Sequence, residues 1–158
     1  MNICDSVVEG VQVRQVQPHD QTQWMHLYRQ YAHFYGVPMS DAILERTWSW
    51  LLDPMHPLEG LVAESAGQRL TGLAHFRACP EPLMAQEVGY LDDLFVLHDH
   101  RGLGIGQCLM MNIDAIARER GWPLVRWVTS DANTQARHLY DKLAQLTSWV
   151  TYDLDTQR

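Results

Sequence analysis

Three glycines at alternate positions, Gly102, Gly104 and Gly106, stand where a predicted strand gives way to a predicted helix, within LHDHRGLGIGQCLM at 97–110. Without Cβ atoms, such a backbone can turn tightly and bring several N–H groups together. The first N–H groups of a helix have no partner within it, and the helix dipole adds positive potential there. The pattern therefore predicts an anion site, best suited to a phosphate or pyrophosphate group.

The residues after the glycines argue against two common nucleotide-binding loops. Gln107 and Cys108 stand where a P-loop requires Lys and then Ser or Thr. Gln107 also occupies the place of the third glycine of a dinucleotide fingerprint. That fingerprint usually opens a parallel domain, whereas this loop comes late in the chain. A glycine-rich connector that binds nothing stays an open alternative for the loop taken by itself.

Strands and helices alternate around this loop. Period-two patterns predict strands over 10–16, 58–65, 68–78, 87–96, 123–129 and 146–155. Helical spacing predicts helices after the capping residues Asp20 and Ser40, over 105–120, and after Ser130 or Asp131. The second and third strands are predicted to form a hairpin about Ala66-Gly67. No change of composition marks a linker, so we expect one domain over 1–158.

Composition and charge place the chain among acidic globular proteins. Of the 158 residues, 46% are hydrophobic and 20% are charged, and the formal net charge is −7. This charge argues against a nucleic-acid partner, which would require a basic face. The stretch MNICDSVVEG lacks the pattern of a signal peptide, and no apolar run has the length of a membrane span. We therefore expect a cytoplasmic protein with no membrane contact.

The cysteines and histidines give no sign of a metal or redox site. Cys4, Cys79 and Cys108 are far apart and lack zinc-ligand or redox spacing, which favours a reducing compartment. Cys108 is predicted to be a buried thiol. His98 and His100 flank the glycine loop without an evident third ligand, so no metal is expected.

The stretch RGLGIG, from Arg101 to Gly106, resembles the Arg/Gln-x-x-Gly-x-Gly/Ala signature of the GNAT superfamily of N-acetyltransferases. It follows a YLDDLFV strand, as the acyl-coenzyme A loop of that family does. Further on, NTQARHLYDKL resembles the family's Asn-x-x-Ala-x-x-x-Tyr helix. YLDDLFV together with HRGLGIG looks closest to the polyamine and diamine acetyltransferase branch.

The resemblance implies an α/β (α+β) fold. Its central sheet would be mixed and mostly antiparallel, flanked by helices, with a splayed strand pair that holds acyl-coenzyme A. The strand that ends at Val96 would separate from the strand at 124–129. Because the family usually ends in two more strands and this chain has room for one, we expect a homodimer that supplies the missing edge, unless that edge is simply absent.

The resemblance also implies acetyl-coenzyme A as the acetyl donor. Its pyrophosphate would rest on main-chain amides of the loop, and its pantetheine arm would pair with the strand edge. The residues assigned to cofactor binding are Leu94, Phe95, Val96, Arg101, Gly102, Leu103, Gly104, Ile105, Gly106 and Asn133. The Arg101 side chain lies beside the phosphates or in solvent, and Asn133 contacts the cofactor or caps the last helix.

Amine acetylation needs a group that takes or holds the amine proton, a donor to the oxyanion and an acid for the leaving thiolate. Asp92 and Asp93 are adjacent in a strand, so alternation points them to opposite faces, and a β-bulge would change which one faces the cleft. By resemblance Asp92 replaces a Glu that serves as base or amine anchor, and a water relay compensates for its shorter side chain.

By resemblance, too, Tyr140 is the acid that protonates the leaving thiolate. The oxyanion donor is expected to be the backbone N–H near Leu94. Capping or ion pairing of the aspartates and packing of Tyr140 are the alternatives.

These assignments predict an N-acetyltransferase that moves an acetyl group to a primary amine by direct attack through a tetrahedral intermediate. The acceptor would be a polyamine, an amino acid, an aminoglycoside or a lysine side chain. Aromatic residues of the first two helices would wall the acceptor site, although helical spacing alone explains them as core. The alternative is a catalytically silent acyl-coenzyme A binding module, which needs the loop but neither Tyr140 nor the carboxylates.

Overall fold

The computed structural model describes residues 3–157. The strands are β1 (Gln12–Gln15), β2 (Glu59–Ser65), β3 (Arg69–Glu81), β4 (Gln86–Val96) and β5 (Val125–Arg126). The helices are α1 (Gln21–Phe34), α2 (Asp41–Leu52), α3 (Ile105–Arg120) and α4 (Thr134–Leu143). Short 3-10 turns occupy Ile3–Ser6, Pro18–Asp20, Pro82–Met84 and His98–His100. The chain divides after Trp127 into two compact units, with the sheet and α1 to α3 in the first and α4 in the second.

The sheet holds its five strands in the order of the sequence. From β1 to β4 each strand is antiparallel to the next, and β4 and β5 are parallel. The pairs Gly89↔Val125 and Tyr90↔Arg126 make up the whole ladder between these last two strands, so β5 is much shorter than the strand predicted over 123–129. The mixed, mostly antiparallel sheet that the family resemblance implied is observed, and the predicted hairpin of β2 and β3 is confirmed.

Two hydrophobic cores cover the two faces of the sheet. One core joins α3 to strand residues such as Ala74 and Phe76. The other joins α1 and α2 to strand residues such as Leu73 and Phe95. Neighbouring residues of β3 thus alternate between the cores, as the pleat of a strand requires. The helices α1 and α2 therefore lie on one face of the sheet, and α3 lies on the other.

Local capping explains where the helices of the first unit begin and end. The predicted bounds of α3 are observed, because Gly104 at φ +89 and Gly121 at φ +72 adopt a left-handed conformation that suits glycine. Ser40 caps α2 as predicted, since its Oγ accepts the Ile43 N–H at 3.2 Å. Asp20 precedes α1, but its buried carboxylate accepts two hydrogen bonds from Arg14, at 2.7 and 2.9 Å, and does not cap the helix.

The second unit agrees with the sequence prediction for its helix but not for the segment that follows it. Asn133 caps α4, since its Oδ1 accepts the Ala136 N–H at 3.4 Å. The capping alternative given for Asn133 is thus confirmed, and the predicted caps at Ser130 and Asp131 are wrong. Residues 144–157 contain no strand, contrary to the prediction for 146–155. A period-two pattern becomes a strand only where a neighbouring strand shares its hydrogen bonds.

A disulfide joins Cys4, in the first 3-10 turn, to Cys108 in α3, across a sequence separation of 104 residues. Both cysteines are fully buried, and their Cα atoms lie 5.1 Å apart, within the range that disulfides span. The predicted free thiol at Cys108 is thus wrong, because the sequence does not reveal a contact between such distant residues. Cys79 is the free cysteine of the described chain.

None of the helices within residues 3–157 is both long enough and apolar enough to cross a bilayer.

Candidate active site

An extra residue in β4 decides which aspartate faces α1. His75 pairs with Asp93, whereas the next residue of β3, Phe76, pairs with Leu91. Asp92 is therefore the additional residue of a β-bulge. In an unbroken strand Leu91 and Asp93 would share one face, but Leu91 packs in the α3 core and Asp93 contacts α1. The bulge thus turns the Asp93 side chain toward the face of α1 and α2.

The Asp93 carboxylate is the centre of a hydrogen-bond network that joins β3, β4 and α1. His75 Nδ1 lies 2.7 Å from Asp93 Oδ2, and the Tyr28 hydroxyl donates to the same oxygen at 3.0 Å. The Tyr31 hydroxyl also hydrogen-bonds Asp93. On the other side of the imidazole, Trp24 Nε1 donates to His75 Nε2 at 2.9 Å. His75 and Trp24 are fully buried, so surrounding side chains hold this end of the network in place.

The contact with Trp24 fixes the protonation state of His75. An indole N–H can only donate, so His75 Nε2 must accept and the imidazole proton resides on Nδ1. His75 is therefore a neutral donor to Asp93 and does not neutralise the charge of that carboxylate. Among the described ion pairs, no lysine or arginine contacts Asp93. The site thus holds a largely buried negative charge that is surrounded by neutral donors.

Hydrogen bonding keeps this carboxylate ionised. Burial alone would raise the pKa of Asp93, but hydrogen bonds from His75, Tyr28 and Tyr31 outweigh it and hold this pKa below the ordinary aspartate value. Burial, together with the Asp93 charge, raises the pKa of both tyrosines well above the ordinary value. Tyr28 and Tyr31 therefore stay protonated near neutral pH and act as donors.

Asp92 has a different environment. Its carboxylate accepts from Arg77 Nε at 3.0 and 3.3 Å, and both side chains are partly exposed. Burial raises the pKa of Asp92, and Arg77 partly offsets this effect. Because Asp92 already has a cationic partner, it is a weaker candidate than Asp93 for holding a second cation.

The glycine loop presents main-chain N–H groups that lack partners within α3. The first hydrogen bond of the helix runs from the Cys108 N–H to the Gly104 carbonyl at 2.9 Å. The N–H groups of the residues between them, 105–107, therefore have no acceptor in the helix. Gly102 lies in open space at φ +76, whereas a Cβ at Gly104 would come within 2.6 Å of Val7 Cγ1. The loop fits the diphosphate of acetyl-coenzyme A, because it offers unpaired donors at a helix N-terminus.

One edge of β4 is open beside this loop. Pairing with β5 stops at Tyr90, and no other described strand adjoins that edge from Leu91 to Val96. The Leu97 N–H bonds the Thr71 carbonyl of β3 at 2.9 Å. Because main-chain groups alternate along an antiparallel strand, those of Leu94 and Val96 face the open edge. An extended chain with amide groups, such as pantetheine, can pair there.

The Arg101 side chain turns away from the loop and back toward β4. Its Nε donates to the Val96 carbonyl at 3.0 Å. Its guanidinium carbon lies 4.9 Å from the centre of the Phe34 ring and 5.4 Å from that of Phe95. Just before it, His100 Nδ1 is buried and has no hydrogen-bond partner within residues 3–157. The groups of the loop that remain available to a phosphate are therefore its main-chain N–H groups.

The first unit brings together most of the residues predicted for the site. Asp92, Asp93 and the strand residues 94–96 lie in β4, and the loop 101–106 leads into α3. Asn133 and Tyr140 belong to the second unit, at the cap and in the second turn of α4. Sequence reasoning missed His75. The available signal was a single histidine within the otherwise mostly apolar stretch TGLAHFRA, because a buried imidazole needs hydrogen-bond partners. The hydroxyl roles of Tyr28 and Tyr31 were also missed.

Comparison with known proteins agrees with this geometry. The model of the acetyltransferase (GNAT) family matches residues 21–144. The D-amino-acid N-acetyltransferase HPA3 of Saccharomyces cerevisiae is 31% identical over 147 residues, which cover 92% of this chain and 91% of that protein.

Solved structures with the same fold include two named acetyltransferases. The ribosomal-protein-alanine N-acetyltransferase of Brucella melitensis has a TM-score of 0.77 at 26% identity, over 92% of this chain and 98% of that one. The structure of AAC(6')-Iy, in complex with the bisubstrate analogue CoA-S-monomethyl-acetylneamine, has a TM-score of 0.75 at 20% identity, over 92% and 97%. The second likeness concerns the fold alone.

Proposed function

Because this chain belongs to the acetyltransferase (GNAT) family, we propose that it transfers the acetyl group of acetyl-coenzyme A to the primary amine of a small molecule. The main-chain amides of Arg101, Gly102, Leu103, Gly104, Ile105 and Gly106 would bind the diphosphate. The open edge of β4 at Leu94, Phe95 and Val96 would pair with the pantetheine arm.

The observation that carries this proposal is the buried charge of Asp93. An amine acceptor arrives mostly as an ammonium ion near neutral pH, and a carboxylate with neutral neighbours is suited to bind it. His75 and the two tyrosines orient this carboxylate but leave its charge uncompensated. The faces of Tyr28 and Tyr31 add a favourable surface for a cation.

The reaction then needs a proton to leave the ammonium group before the amine attacks. Asp93, directly or through a water, takes that proton. The amine nitrogen attacks the thioester carbonyl carbon, and the backbone N–H of Leu94, on the open edge of β4, donates to the oxyanion that forms. When the oxyanion collapses, the carbon–sulfur bond breaks and coenzyme A leaves as a thiolate. The products are the acetylated amine and, after protonation of sulfur, free coenzyme A.

Tyr140 is assigned the last proton transfer because of the family resemblance of its helix. A phenol has an ordinary pKa near 10, which suits donation to a thiolate. Asn133 caps the same helix and thereby sets where α4 begins. A contact of Asn133 with the donor remains a prediction.

Among the acceptors predicted from the sequence, an amino acid is favoured. The support is the 31% identity to an enzyme that acts on D-amino acids. The polyamine branch stays a prediction without support from that relative.

The test is an assay of coenzyme A thiol release with a panel of amines: D- and L-amino acids, spermidine, an aminoglycoside and a lysine peptide. We expect release that depends on an amine, with an N-acetyl product detected by mass spectrometry. Donor binding without release for any amine would instead identify a silent acyl-coenzyme A binding module. Absence of donor binding would overturn both functions.

A further inference from the structure

We propose that Arg77 sets the charge of the acceptor: it neutralises Asp92, so the site takes an amine with one positively charged group and rejects diamines and polyamines. This inference rests on the proposed function and deepens it. It concerns the second carboxylate of the site, because Asp93 already holds the ammonium group that reacts.

Arg77 lies on the sheet face that carries the network around Asp93. Along β3, His75 meets α1, and the next residue, Phe76, packs in the α3 core. The pleat therefore returns the Arg77 side chain to the α1 face. There its guanidinium carbon lies 4.7 Å from the ring centre of Tyr90, the residue that pairs with it in β4. Because His75 pairs with Asp93, Arg77 stands one step along the same face from that contact.

The bulge turns Asp92 toward the same region. Arg77 Nε donates to both oxygens of the Asp92 carboxylate, at 3.0 and 3.3 Å, so this carboxylate is directed to the face that Asp93 also occupies. The electrostatics agree, because the charge of Asp93 helps to raise the pKa of Asp92. The charge of Asp92 likewise helps to raise the pKa of Tyr28 in α1. Without Arg77, two neighbouring carboxylates would thus act on one region of the site.

The ion pair leaves one negative charge uncompensated. A guanidinium stays protonated near neutral pH, and hydrogen bonding to Asp92 raises the pKa of Arg77 further. Asp92 is therefore matched by a permanent cation, whereas Asp93 is held by the neutral donors of His75 and Tyr28. A second ammonium group on the acceptor would have to displace the guanidinium from Asp92 and would be repelled by it. An acceptor with one ammonium group meets no such penalty.

The experiment compares acceptors that differ by one amino group, norleucine with lysine and butylamine with putrescine, using the full chain. The readout is the kcat/KM for the acceptor with two amino groups divided by that for its partner with one. We expect this ratio to lie below one for the wild type. Arg77→Gln should raise the ratio about 10-fold, because Asp92 becomes free to pair with the second ammonium group and the repelling cation is gone. Arg77→Lys should keep the ratio near the wild-type value, since it keeps the charge beside Asp92.

Arg118→Gln is the matched control, because Arg118 also pairs with an aspartate but lies in α3, on the other face of the sheet, and the ratio should stay unchanged. Each ratio is taken on one protein preparation, so a loss of folded protein cancels. In the double variant Arg77→Gln with Asp92→Asn the gain should disappear. A wild-type ratio above one, an unchanged ratio in Arg77→Gln, or a gain that persists in the double variant would overturn the inference and leave the proposed function intact. A wild type that acetylates no amine would overturn both.

Discussion

His75 Nδ1 lies 2.7 Å from Asp93 Oδ2, and this contact joins the two longest strands of the sheet on the face that α1 covers. It exists because the bulge at Asp92 brings Asp93 opposite His75. Since Trp24 occupies the other imidazole nitrogen, the contact delivers a neutral N–H to the carboxylate and leaves its charge available for an amine.

Asp93→Asn should lower kcat/KM for amine acetylation on the order of 100-fold, since the variant loses both the charge that holds the ammonium ion and the group that takes its proton. Asp92→Asn should lower it by less than about 5-fold, because Asp92 is paired with Arg77 at the edge of the site. Steady-state kinetics on the two variants shows which of the two carboxylates serves the reaction. Melting temperatures measured in parallel show whether either variant is destabilised. A larger loss for Asp92→Asn would restore the assignment made from the family resemblance.

His75 should act as a positioning residue that sets the pKa of Asp93. This pKa lies below the ordinary value in the folded protein, so the carboxylate stays charged until the pH falls through that lowered pKa. His75→Leu removes one donor and leaves the Trp24 N–H without a partner, so the pKa of Asp93 should rise. The acid limb of the pH profile of kcat/KM should then move to higher pH.

His75→Gln is the matching control for this shift, because its amide can accept from Trp24 and donate to Asp93. It should return the acid limb toward the wild-type position. If the acid limb stays in place in both variants while kcat/KM falls, His75 has a packing role only.

Tyr140→Phe should lower turnover more than donor affinity. In the proposed mechanism the phenol donates a proton to the leaving thiolate, and general acid catalysis of this kind typically contributes about 100-fold or more to the rate. The measurements are kcat with a saturating amine and the dissociation constant of acetyl-coenzyme A. A substrate analogue whose leaving thiol has a lower pKa should recover part of the loss in the variant. Equal loss of kcat and donor affinity would instead indicate a packing role.

The disulfide between Cys4 and Cys108 should be detectable as a thiol count. Under denaturing conditions without reductant, we expect one reactive thiol per chain, from Cys79, and three after reduction. Cys4→Ala with Cys108→Ala should lower the free energy of unfolding by about 3 kcal/mol, because a link across a long loop restricts the unfolded chain. Cys79→Ala is the control and should change it by less than about 1 kcal/mol. Three reactive thiols without reductant would contradict the link.

Local signals predicted the parts of the fold that local contacts determine. The bounds of α3 follow from Gly104 and Gly121, and the start of α2 follows from the Ser40 cap. The glycine loop was recognised for the same reason, since its conformation depends on residues next to one another. The strand predicted over 146–155 shows the opposite case, because a strand needs a partner that the segment itself does not encode.

The candidate site depends on long-range contacts, which explains what the sequence left open. A bulge is visible only when two strands are aligned, so the choice between Asp92 and Asp93 could not be made from one strand. The link from Trp24 to His75 spans 51 positions, and that from Tyr28 to Asp93 spans 65. Aromatic periodicity identified α1 as a core helix but gave no information about where its hydroxyl groups point.

The close packing of Val7 against Gly104 bears on any variant that lacks the N-terminal residues of this chain. A protein cut to the span 21–144, which the family model matches, would lack β1, Val7 and Cys4. Strand β2 would become an unpaired edge strand of the sheet, and Cys108 in α3 would be left as an unpaired thiol. Residues 3–20 thus contribute to the fold of the first unit, although they lie outside the span that the family model matches.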